Sequence, residues 1–142
     1  MPFKEKIAWI AVVTTVIVWG AYFAAVLRAA ATGGVPHPAV YVVAFSGAVA
    51  VQAVLMIVAT TITAVMAPKE AGAAADERDK TVARRAYAIA YPVLLGLIVC
   101  VAASVHLGAR PWHLVNGMMA AIVVAEIVHY GAQIVGYRRG WQ

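Results

Sequence analysis

Ala125-Glu126-Ile127-Val128-His129-Tyr130-Gly131-Ala132-Gln133 places an acid and an imidazole inside the last of four apolar runs. At 100° per residue, Glu126, His129, Tyr130, Gln133 and Tyr137 fall within about a third of a helical circumference, forming a polar stripe on an otherwise aliphatic helix. An ionised carboxylate near the centre of a bilayer costs at least ~2.5 kcal/mol. The stripe is therefore expected to face the interior of a helical bundle.

The rest of the chain supplies that bundle. Of its 142 residues 64% are apolar and 12% charged, against roughly 25% charged in soluble domains. Four long apolar segments stand out, at about 7–27, 38–66, 86–108 and 114–137, each longer than the ~20 residues that cross a hydrocarbon core. The sequence predicts a single all-α integral membrane domain over 1–142: a four-helix transmembrane bundle of two antiparallel hairpins, with 67–85 as linker. The first segment is too long for a signal-peptide core and ends at Arg28 without a cleavage motif, so it is read as a span.

Orientation follows from the basic residues. Lys4, Lys6, Lys69, Arg78, Lys80, Arg84, Arg85, Arg138 and Arg139 fall on one side of the four spans, and Arg28 and Arg110 on the other. Nine against two predicts that both termini and the linker are cytoplasmic. Topology and contact with lipid headgroups account for the net charge of +5, and nucleic-acid binding is not needed to explain it. Cys100 is the only cysteine; it excludes an intrachain disulfide and is expected to be packed and inert.

Within this frame, Asp76 is placed to cap the third span, with Glu77 and Asp79 in its first turn. Residues 67–75 read as a loop. Gln52 sits near the middle of the second span and needs a hydrogen-bonding partner there. Gly117, Ala121 and Ala125, spaced by four, make a small-residue face on the fourth span, opposite the polar stripe, open to another subunit. A homodimer is the expected assembly.

Three readings of activity are open. In the first, the polar core is mainly structural glue in an interaction or regulatory subunit. The alternative is a proton-coupled small-solute transporter, with Glu126 as the protonatable group, His129 as relay, and Gln133, Tyr130 and Gln52 along the path. A third is an intramembrane haem or metal protein, with His37, His106 and His113 as outer-face candidates for a divalent metal; the expected state is no cofactor. Glu126 and His129 have Glu-x-x-His spacing, but a bundled di-metal site needs further embedded acids. There is no phosphate loop, nucleophile elbow or metalloprotease helix, so an enzyme is disfavoured.

Asp76-Glu77-Arg78-Asp79, followed by Ala86-Tyr87 and the closing Tyr137-Arg138-Arg139-Gly140, resembles a family of uncharacterised small four-helix bacterial inner-membrane proteins. These carry a D-E-R-D-like stretch before their third span and a Y-R-R-G-like ending. The resemblance covers mainly 76–140. It implies a four-helix fold and an inner-membrane location, and brings no catalytic residues with it.

Overall fold

The computed structural model describes residues 2–33, 38–74 and 76–141. These form helices α1 (Phe3–Ala31), α2 (Pro38–Met66), α3 (Pro68–Ala71), α4 (Glu77–Ala103) and α5 (Pro111–Arg139), with a 3₁₀ turn at Ser104–Leu107 after α4. α1, α2, α4 and α5 are each long and apolar enough to cross a membrane. At 1.5 Å per residue a 29-residue helix such as α5 is roughly 43 Å long, so its ends reach beyond the hydrocarbon. The molecule is an all-α, multi-pass membrane protein.

Local chemistry sets the helix boundaries. Asp76 caps α4 as expected, and reciprocally: its carboxylate accepts from the Asp79 N–H at 2.7 Å, and Asp79 accepts from the Asp76 N–H at 3.3 Å. This satisfies two donors that a helix start otherwise leaves open. α4 thus begins well before the apolar part of the span. The 67–75 stretch is not all loop as expected, because Pro68 starts the single turn α3, where a missing N–H costs nothing. α5 opens on Pro111 and closes at Gly140 (φ 64°). That left-handed residue lets the Trp141 N–H reach the Gly136 carbonyl at 3.1 Å.

The long helices pack in the order α2, α1, α5, α4, consecutive neighbours running antiparallel. Their seams are made of small residues. Ala8 and Ala11 on α1, Ala86 and Ala90 on α4, and Ala121, Ala125 and Ala132 on α5 are all buried. Small side chains let backbones approach closely where lipid removes the hydrophobic incentive to associate. On α1 the buried positions Ala8, Ala11, Thr15, Tyr22 and Val26 recur at intervals of three, four or seven and mark one face. α5 is buried on two faces because it lies between α1 and α4. The apolar window of α2 buries none of its residues.

Two expectations are corrected here. Gly117, Ala121 and Ala125 do not form a free face: a Cβ at Gly117 would lie 3.1 Å from Val101 of α4, and Ala121 and Ala125 are buried. The small residues are spent on the seam within the chain. Cys100 is exposed rather than packed, because α4 turns its buried side, Val82, Ala86 and Ala90, to α5.

Candidate functional site

At mid-depth Gln52 finds its expected partners on α1. Its Nε2 donates to Thr14 Oγ1 and Thr15 Oγ1, each at 3.1 Å. Thr14 in turn donates to the Ile10 carbonyl at 2.8 Å. The amide nitrogen of Gln52 is thereby satisfied, whereas its Oε1 is buried and meets no donor among the described residues.

Next to this junction is a groove of about 300 Å³, lined from α1 by Ala11, Thr15 and Trp19, from α2 by Gln52 and Met56, and from α5 by Ile122, Val123, Glu126 and Tyr130. Glu126 reaches this groove without being closed inside the bundle. Its side chain is exposed, with no hydrogen bond or ion pair among the described residues. The polar stripe read from the helical wheel is therefore split. Glu126 and Tyr130 turn to the groove between α1 and α2, while His129 turns to α4. There its ring lies 4.2 Å from that of Tyr87 and is buried.

His129 Nε2 lies 2.7 Å from Gln133 Nε2. With the amide donating, the ring proton sits on Nδ1, which is buried and meets no acceptor among the described residues. The structure joins His129 to Gln133, and among the described residues no hydrogen bond or ion pair joins His129 to Glu126. Gln133 also borders a second hollow of about 390 Å³, with Lys4, Thr60, Asp79 and Tyr137 among its lining residues.

That hollow leads to a polar knot at the end carrying both termini, which sequence reasoning missed. Lys4 Nζ donates to Asp79 Oδ2 at 2.7 Å, and the Tyr137 hydroxyl donates to Asp79 Oδ1 at 3.1 Å. Arg78 Nη2 donates to the Tyr137 carbonyl at 2.6 Å. Asp79 lies ahead of the apolar run of α4. Burial works to raise its pKa, but the bonds from Lys4, Tyr137 and the Asp76 backbone outweigh it and hold the carboxyl below its ordinary value. Nearby, Arg138 Nε donates to buried Glu5 at 3.2 Å and its guanidinium lies 5.4 Å from the Trp9 ring centroid. The signal available in the sequence was the acid-rich start of α4 together with the tyrosine and arginines that close α5.

The opposite end holds aromatic side chains and the outer histidines. Tyr22 donates to Asn116 Oδ1 at 3.0 Å, and Tyr41 stacks on Trp112 at 6.4 Å. His113 is exposed and lies against Trp112, 3.7 Å between ring centroids. His106 is exposed in the 3₁₀ turn. His37 lies outside the described residues. Among the described residues no three His, Cys, Asp or Glu side chains are placed to share a metal ion.

No family model, curated protein or solved structure matches this chain. The resemblance carried by Asp76–Asp79 and Tyr137–Gly140 thus rests on those residues, and in the folded chain the two motifs touch through Asp79 and Tyr137.

Proposed function

We propose that the chain is a multi-pass protein of a bacterial inner membrane, homodimeric, with both termini and the linker in the cytoplasm. Its working group is Glu126, in proton-coupled handling of a small solute. The observation that carries this reading is that Glu126 opens into a groove with no hydrogen bond or ion pair among the described residues, while Gln52, Thr14, Tyr22, Asn116, Gln133 and His129 all have hydrogen-bonded partners. A carboxylate kept unpaired at mid-bilayer is costly as structure. It is useful as a group that takes up and releases a proton. Tyr130, one turn on, would lead from Glu126 towards Gln133 and the hollow beside Lys4 and Asp79; His129 acts through Gln133 and not through Glu126. The nine basic groups at the end holding both termini support the orientation.

The test is infrared spectroscopy of the reconstituted protein as pH is swept. The reading expects a protonated-carboxyl band that comes and goes with pH and is missing from Glu126→Gln. A spectrum with no such Glu126-dependent band at any pH overturns it.

A second reading, an interaction or regulatory subunit whose polar core is structural, is supported by the Gln52 junction and the Asp79 knot, which tie helices together. It expects Glu126→Gln to leave the protein's activity in cells unchanged.

A further inference from the structure

The composition of the Glu126 groove says what class of solute it suits. All the lysines and arginines lie towards the two ends of the helices, and no basic side chain lines the groove. The counter-charge to an ionised Glu126 must therefore come from outside the fold, as a proton or as a bound cation. The walls favour a cation. Trp19 and Tyr130 present ring systems whose faces attract positive charge, and Gln52 adds an amide whose oxygen meets no donor among the described residues. An anion would meet the Glu126 carboxylate instead. Ala11, Met56, Ile122 and Val123 supply apolar contact for the remainder of a ligand. A volume of about 300 Å³ is at the small end of the range for small-molecule sites.

We propose that this groove binds an organic ammonium cation with an apolar body, its charge held at Glu126 between Trp19 and Tyr130. The proposal rests on reading Glu126 as the working carboxylate, and names what that carboxylate exchanges for its proton. Proton and cation compete for one site, since α1 and α2 contribute no titratable group to the groove and α5 contributes only Glu126 and Tyr130. The ammonium needs no chemistry done on it: it displaces the proton from Glu126 to solvent, and the reverse releases it.

The test uses the full chain in lipid nanodiscs and equilibrium dialysis with benzyltrimethylammonium, alongside its neutral carbon isostere, neopentylbenzene. The expected result is saturable binding of the cation, weakened at least about tenfold in Glu126→Gln, a loss of about 1.4 kcal/mol. Glu126→Asp should restore most of it. Lowering the pH should weaken cation binding to the unaltered protein, a readout that needs no variant to fold. Equal binding to Glu126→Gln and the unaltered protein overturns the proposal, as does equal affinity for the isostere or no saturable cation binding. The infrared band separates the two ideas: a Glu126-dependent band without cation binding sinks the ligand class alone, and absence of the band removes the function as well.

Discussion

Tyr137, in the last turn of α5, donates its hydroxyl to Asp79, in the first turn of α4, at 3.1 Å. The other Asp79 oxygen takes Lys4 from α1 at 2.7 Å. One carboxylate thus joins three helices at the end where both termini meet.

Asp79 should give the protein an acid-sensitive component of stability. Its pKa is lowered in the folded state, so its contribution is complete above the ordinary carboxylate value and is lost as pH falls from there through the folded value. Melting curves in detergent are expected to show an acid limb that is shallower in Asp79→Asn. An identical acid limb in the two proteins would contradict this. At neutral pH the Asp79→Asn and Tyr137→Phe effects should be less than additive, because they share one hydrogen bond.

Gly136 has no room for a Cβ between Trp141 and Val82 of α4. A Cβ there would lie 2.7 Å from Trp141 Cε3 and 3.0 Å from Val82 Cγ1. Gly136→Ala is therefore expected to destabilise by about 1–3 kcal/mol as Trp141 is pushed off. Gly131→Ala is the control. It meets nothing within 4 Å and should gain up to about 1 kcal/mol from helix propensity. Thermal denaturation of the two variants should move in opposite directions.

Gln52→Leu removes both amide bonds to α1. The expected loss is about 0.6–1.7 kcal/mol, from the average to the largest value for an interhelical hydrogen bond in a bilayer. It should fall on the α1–α2 hairpin and leave the α4–α5 pair unchanged, read by hydrogen exchange resolved by helix. Faster exchange spread evenly over all four long helices would contradict a junction confined to α1 and α2.

Tyr41 carries a buried hydroxyl with no hydrogen-bond partner among the described residues. Tyr41→Phe keeps the stacked ring against Trp112 and deletes an unsatisfied polar group. It should be neutral or stabilising by about 1 kcal/mol, measured as the shift in melting temperature.

Much of the architecture was open to reading from the chain. The apolar runs gave four spans, and Asp76 with Asp79 marked where α4 starts, because capping depends on residues three apart. The Gln52 reading, that its amide needs a partner at mid-depth, was met by Thr14 and Thr15. The candidate site was legible only in part. A helical wheel groups Glu126 with His129, but a helix flanked on two sides can turn neighbouring positions to different partners, and α5 sends one to α1 and α2 and the other to α4. The exposure of Cys100 and the use of Gly117 against Val101 were likewise invisible, since both depend on which face of α4 turns to α5.

Sequence alone determined that four helices are long and apolar enough to cross, that α4 starts at the Asp76 cap, and at which end the positive charge gathers, because hydropathy, capping and charge act over neighbouring residues. Only the tertiary structure decided the order α2, α1, α5, α4, the three-helix bond at Asp79, and the unpaired position of Glu126 in an open groove. Those depend on small-residue seams that bring together side chains far apart along the chain.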